Sequence, residues 1–126
     1  MNERCDLCGC CLEECYAGAW EQIGRAVTVK EVVEVVEQDR LFYEQSGGGI
    51  TLSGGKPTTQ AEFSQNVLRI CHDRGIHTAI ETCGHAAWNT WERLLPHLDL
   101  ILYDLKEVDP LQHKYCTGAS NESRQI

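Results

Sequence analysis

Three short apolar runs, each followed by a helical pattern, constrain the fold of this chain more than any other feature. They lie at residues 50–53, 76–82 and 99–104. The helix after the first run carries Phe63, Val67, Ile70 and Cys71 on one face, with Thr59 and Glu62 as its predicted cap and Gly75 as its stop. Cys83-Gly84 leads into a second helix bearing Trp88, Trp91, Leu94 and Leu95, and Asp109 with Pro110 opens a third that ends near Gly118. Residues 99–104 have the nearly continuous apolar character of a buried parallel strand. Strands that alternate with helices imply crossover connections and a parallel sheet, so the fold class is α/β. Upstream, Thr28 and Glu31 read as a capping box. They open one helix with Val29, Val32, Val33, Val36, Arg40 and Tyr43 on a single face, ended by Gly47-Gly48-Gly49.

Residues 1–26 differ from the rest. They are rich in cysteine and show little periodicity, which suits a small lobe organised by a metal, set before a larger unit over 27–126. Cys5, Cys8, Cys11 and Cys15 fit the Cys-x2-Cys-x2-Cys-x3-Cys run that wraps an iron–sulfur cluster. A tetrahedral zinc site is the rival, but it usually wants two Cys-x2-Cys pairs separated by a longer loop. Tyr16 stands where the ferredoxin run has proline, and Cys10 is a spare thiol beside Cys11, so either of the two can serve as the third ligand.

With 126 residues the chain can bury about two-thirds of its unfolded surface. Its 19 acidic and 11 basic residues leave a formal charge of −8 and no basic stripe, which argues against nucleic acid as a partner. No apolar run approaches bilayer-spanning length and no signal segment is evident, so no membrane association and a cytoplasmic location are expected, with reduced thiols.

In a parallel β/α sheet the carboxyl ends of the strands share one edge, where ligands bind. Those ends are Ser53-Gly54-Gly55-Lys56-Pro57, Glu81-Thr82-Cys83-Gly84 and Asp104-Leu105-Lys106. Two glycines, a hydroxyl, two carboxylates and a lysine suit a small zwitterion: the carboxylates take an ammonium and ribose hydroxyls, Lys106 takes a carboxylate, and the glycines let backbone approach closely. Singly, Gly54-Gly55 reads equally as a turn, and Asp104 with Lys106 as a solvated strand end. Cys71 reads as a small core residue, Cys83 as either core or site, and Trp88 and Trp91 as core. Cys116 has no partner in view, and by themselves His113 and Asn121 read as surface polar residues.

The segments 46–57, 75–84, 99–106 and 113–121, in that order, closely resemble the glycyl-radical-enzyme activating enzymes. These are radical S-adenosylmethionine proteins similar to pyruvate formate-lyase activating enzyme, and the subgroup with inserted ferredoxin-type clusters matches best. The resemblance implies a partial parallel β/α (TIM-type) barrel behind a ferredoxin-like iron–sulfur lobe. It implies that Ser53, Gly54 and Gly55 hold the methionyl amine of S-adenosylmethionine and that Glu81, Asp104 and Lys106 fix its amine, ribose and carboxylate. Cys5, Cys8, Cys11 and Cys15 then match an inserted [4Fe–4S] motif for electron transfer or structural support. The implied reaction is an oxidoreductase one: reductive cleavage of S-adenosylmethionine yields a 5′-deoxyadenosyl radical, which takes hydrogen from a glycine of a partner glycyl radical enzyme, with flavodoxin or ferredoxin as reductant.

Two departures accompany the resemblance. The Cys-x3-Cys-x2-Cys motif that leaves one iron open is absent, and Lys56 stands where the family usually has Glu. The chain is therefore expected to be an internal piece of an activating enzyme that does not cleave S-adenosylmethionine alone. A plain iron–sulfur electron carrier is the alternative function. Anaerobic reconstitution is expected to load one [4Fe–4S] cluster, with its iron-dependent absorbance lost in a Cys5→Ala/Cys8→Ala double variant. Equal iron in that variant would refute the assignment.

Overall fold

The computed structural model describes residues 8–21 and 23–121. Three strands, β1 (Gly49–Leu52), β2 (His77–Thr82) and β3 (Leu100–Tyr103), form a parallel sheet in the order β1-β2-β3. Six helices accompany them: α1 (Cys10–Glu13), α2 (Val29–Gln38), α3 (Arg40–Ser46), α4 (Ala61–Asp73), α5 (Trp88–Leu94) and α6 (Pro110–Thr117). Short 3-10 turns at Pro57–Gln60 and Leu95–His97 precede α4 and follow α5. No described helix is long and apolar enough to cross a membrane.

The helices α2, α4 and α5 cover one face of the sheet, and α4 lies between the other two. Its buried Val67 and Cys71 join Val33 of α2 and Ile76, with Ile50 and Leu52 of β1 packed against them. Its Leu68, one position round the helix, joins Ile80, Trp91 and Leu94 on the α5 side, with Ile101 of β3. Leu68 and Leu94 are wholly buried, and truncating such a leucine to alanine costs about 2–5 kcal/mol. The strands approach so closely at Gly49 that a Cβ there would lie 1.8 Å from the His77 carbonyl oxygen, which excludes any larger residue. At the amino end of the sheet the Thr78 amide donates to Asp99 Oδ2 at 2.8 Å, and its hydroxyl donates to the His97 carbonyl at 2.7 Å. The Asp99 amide donates back to the Thr78 carbonyl at 2.9 Å. The Thr78 amide holds the Asp99 carboxyl below its usual range.

Several expectations need correction. The capping box of Thr28 and Glu31 forms, but the helix it opens breaks at Asp39 into α2 and α3. Thr59 does not cap α4. Its hydroxyl donates to the Lys56 carbonyl inside the 3-10 turn, and Gln60, without a side-chain cap bond, occupies the N-cap. β3 is apolar yet not buried on both faces: Leu100 and Leu102 are 46% and 43% exposed, because β3 pairs with β2 alone and no described element covers the face opposite α4. Trp88 is 56% exposed and donates Nε1–H to Glu92, so only Trp91 of that pair is core. The α6 capping by Asp109, with Pro110 in the first turn and Gly118 at φ 74°, forms as expected.

The break at Asp39 has a tertiary partner. Glu37 accepts from Arg40 Nε at 2.6 Å and from Arg74 Nη1 at 2.9 Å, and Arg40 also donates to the Arg74 carbonyl at 3.2 Å, so the α2–α3 junction is tied to the end of α4. The hydrogen bonds from Arg40 and Arg74 pull the Glu37 carboxyl down to about 2. A carboxyl depressed on folding stabilises the fold above its unfolded value of about 4.3, and that contribution is lost as pH falls from there through the folded value. A Glu37→Gln variant is therefore expected to melt below wild type at pH 7, with the gap closing below pH ~4 and absent near pH ~2. A gap that persists at the lowest pH would assign the effect to packing rather than charge.

Candidate functional site

The parallel register brings the three strand ends together. Leu52 lies opposite Ile80, so the next residues, Ser53 and Glu81, are neighbours, and the Ser53 hydroxyl donates to Glu81 Oε2 at 2.6 Å. Thr82 lies opposite Tyr103, and the Asp104 amide donates to the Thr82 carbonyl at 2.8 Å, extending the ladder by one residue. Lys106 forms an ion pair with Asp104. This bond and the charges of Asp104, Cys83 and Glu81 raise the Lys106 ammonium above its ordinary value, so it stays protonated.

Ser53, Gly54, Lys56, Glu81, Thr82, Cys83, Asp104 and Lys106 line a groove of 330 Å³, within the range of about 300–1,000 Å³ common for small-molecule sites. A smaller cavity of 180 Å³ adjoins it across Cys83, Asp104 and Lys106, and is closed by the loop from Leu105 to Pro110. Of the six residues expected to hold the small ligand, Ser53, Gly54, Glu81, Asp104 and Lys106 line the groove, and Gly55 completes the turn between Gly54 and Lys56. A Cβ on Gly54 or Gly55 would meet nothing within 4 Å, so that turn is open to an approaching ligand. Two carboxylates, two lysine ammoniums, hydroxyls and a bare glycine turn face one space, groups of the kinds that a zwitterionic nucleoside needs.

The groove has features that sequence patterns did not reveal. Lys56 is the only described non-glycine residue with positive φ, at φ 65°, ψ 89°, a conformation that costs about 1–2 kcal/mol. The Thr82 hydroxyl accepts from the Gly84 amide at 3.0 Å and so folds the β2 end back on itself. Gly84 is required twice over: it sits at φ 74°, and a Cβ there would run into the Tyr103 ring. His113, expected at the surface, is 1% exposed, and its Nδ1 lies 2.8 Å from the Ala119 carbonyl. Asn121 donates to the carbonyls of Glu107 and Val108 at 3.1 Å each and so fastens the loop that follows Asp104 and Lys106, whereas the His113 contact ties α6 to the residues just beyond its own end. The role of Asn121 was not identifiable from local pattern, because its bonds join positions on either side of α6.

The cysteine-rich segment is described from Cys8 onward, and Cys5 lies outside the described residues. Cys10 and Cys11 begin the single turn of α1. The Cys15 thiol accepts from the Ala19 amide at 3.2 Å, and the amides of Ala19 and Trp20 lower it from its ordinary value, favouring the thiolate that ligates metal. Among the described residues no three potential ligands converge on one point. The Cys15 environment suits a cluster, while the geometry of a full ligand set is not present in this part of the chain.

Comparison with known proteins follows the same lines. The family model described as "Radical SAM superfamily" matches residues 2–125. The chain is 48% identical over 118 residues to isethionate sulfite-lyase activating enzyme of Oleidesulfovibrio alaskensis, covering 93% of this chain and 38% of that protein. It is 43% identical to trans-4-hydroxy-L-proline dehydratase activating enzyme of Clostridioides difficile (96% and 50%), and 37% identical to pyruvate formate-lyase-activating enzyme of Clostridium pasteurianum (88% and 47%). The chain thus spans half or less of the length of these relatives. A crystal structure of a domain of pyruvate-formate lyase-activating enzyme from Bacteroides vulgatus superposes with a TM-score of 0.52 at 35% identity, covering 60% of this chain and 47% of that one.

The two groove glycines differ in a testable way. Alanine at Gly54 meets only the backbone penalty of its φ of 87°, about 1–2 kcal/mol, whereas alanine at Gly84 adds the collision with Tyr103. Thermal denaturation is expected to show the larger loss for Gly84→Ala. Equal losses would mean that Tyr103 moves aside freely.

Proposed function

This chain belongs to the radical SAM superfamily, and on that premise we propose that it serves in glycyl-radical enzyme activation, binding S-adenosylmethionine in the groove at the carboxyl edge of its sheet. One observation carries the reading: three separate strand ends deliver Ser53, Glu81, Asp104 and Lys106 to a single groove. The turn of Ser53, Gly54 and Gly55 receives the methionyl amine, beside the Glu81 carboxylate. Asp104 accepts from the ribose hydroxyls, and Lys106, released from Asp104, pairs with the ligand carboxylate. The relatives, each named as the activating enzyme of a lyase or dehydratase, support activation of a glycyl radical enzyme as protein substrate; flavodoxin or ferredoxin is proposed as the electron donor.

The sheet is read as part of a TIM-type β/α barrel over residues 27–126, with the exposed face of Leu100 and Leu102 turned to its interior. Residues 1–26 are read as a ferredoxin-like lobe holding a [4Fe–4S] cluster through Cys5, Cys8, Cys11 and Cys15, which supports a cytoplasmic, reducing location. When bound, reduced cluster and S-adenosylmethionine supply one-electron chemistry, and the chain's own residues supply position and charge.

The alternative, an electron carrier, needs no nucleoside. Titration calorimetry of the chain with S-adenosylmethionine distinguishes the two. Saturable binding is expected, weakened about tenfold or more in Glu81→Gln and Asp104→Asn, each of which removes a charged acceptor. No binding to wild type at millimolar ligand, or equal binding by both variants, would overturn the groove reading.

A further inference from the structure

The groove contains a lysine that forms no ion pair among the described residues. Lys106 is paired with Asp104, and Glu81 accepts from Ser53, but Lys56, on the same wall, makes no ion pair among the described residues. Its position is fixed from both sides. The Lys56 amide bonds to the Gly54 carbonyl, and its own carbonyl accepts from the Thr59 amide and hydroxyl at 2.9 and 2.8 Å. Pro57 follows directly and restricts the backbone further. The root of the side chain is therefore held at the groove, and only its methylenes can turn.

With two carboxylates and two ammoniums lining it, the groove carries no formal charge. A ligand bearing one ammonium and one carboxylate matches that balance. A ligand with an additional positive charge meets no surplus of negative charge. We infer that Lys56 makes this groove a selector of ligand charge: it disfavours the cationic sulfonium and favours the neutral thioether of the same adenosyl–amino acid skeleton. The inference rests on the groove reading above and adds to it which charge state the site prefers. Repulsion between exposed charges is screened over about 10 Å at 0.1 M salt and about 3 Å at 1 M, so a charge effect of Lys56 on the ligand weakens as salt rises.

The test compares S-adenosylmethionine with S-adenosylhomocysteine, which differ by the sulfonium methyl and its charge. Calorimetric affinities for both are measured on the wild-type chain and on Lys56→Arg, Lys56→Gln and Lys56→Glu. The thioether is expected to bind more tightly to wild type and to Lys56→Arg. The preference should move stepwise towards the sulfonium in Lys56→Gln and Lys56→Glu, by about tenfold in all, and shrink at 1 M salt. Each replacement is unbranched at Cβ, so the backbone strain at position 56 is nearly constant across the series. An unchanged ratio of the two affinities across the series, with both ligands bound, would overturn the inference and leave the groove reading standing. Failure of every variant to bind either ligand would overturn the groove reading and this inference with it.

Discussion

The site depends on β2 being paired in parallel on both sides. Thr78 and Ile80 of that strand are wholly buried and Ala79 nearly so, and its register with β1 and β3 decides which polar residues meet at the carboxyl edge. Slipping either neighbour by one residue would turn Ile50 and Leu52, or Ile101, away from the helices and carry Ser53 or Asp104 out of place. The Thr78–Asp99 bonds at the amino end resist that slip for β3, and the glycine contact between Gly49 and His77 resists it for β1. Core and site are thus set by the same register, one through the side chains facing α4 and the other through the residues just beyond each strand.

Apart from Lys56, the charged groups of the groove already have partners. Its strand ends place acids and bases close enough that Asp104 and Lys106 neutralise each other and Glu81 engages Ser53. A ligand must exchange these contacts for its own, so the groove rewards a zwitterion whose charges substitute one for one. The loop after β3 contributes by being fastened. Asn121 holds it by donating to the Glu107 and Val108 carbonyls, so Asp104 and Lys106 lead into a braced segment rather than a free strand end.

The face of the sheet opposite α4 tells a complementary story. Leu100 and Leu102 stand partly exposed beside the buried Ala79, and among the described residues β3 pairs only with β2. Open parallel edges recruit further strands. Every position of β3 carries an apolar side chain, although only its helix-facing side is covered by the described residues.

The α/β class, three strands, their parallel sense and the residues at their carboxyl ends were all legible in the sequence, because hydrophobic period and turn residues are local properties. So were the caps by Thr28 and Asp109, each written in two neighbouring residues. Thr59 misled because a 3-10 turn offered its hydroxyl a nearer acceptor, and no residue pattern distinguishes the two bonds. The break at Asp39 coincides with an ion pair between Glu37 and Arg74, 37 positions apart, and the burial of His113 depends on the loop that returns to Ala119. By itself, then, the sequence determined which segments become strands and which chemical groups stand at their ends, since both follow from spacing along the chain. Tertiary structure alone decided that Lys106 pairs with Asp104, that Ser53 serves Glu81 and that Lys56 is left uncompensated, because those outcomes depend on distances across strands, which the register sets and the linear order does not contain.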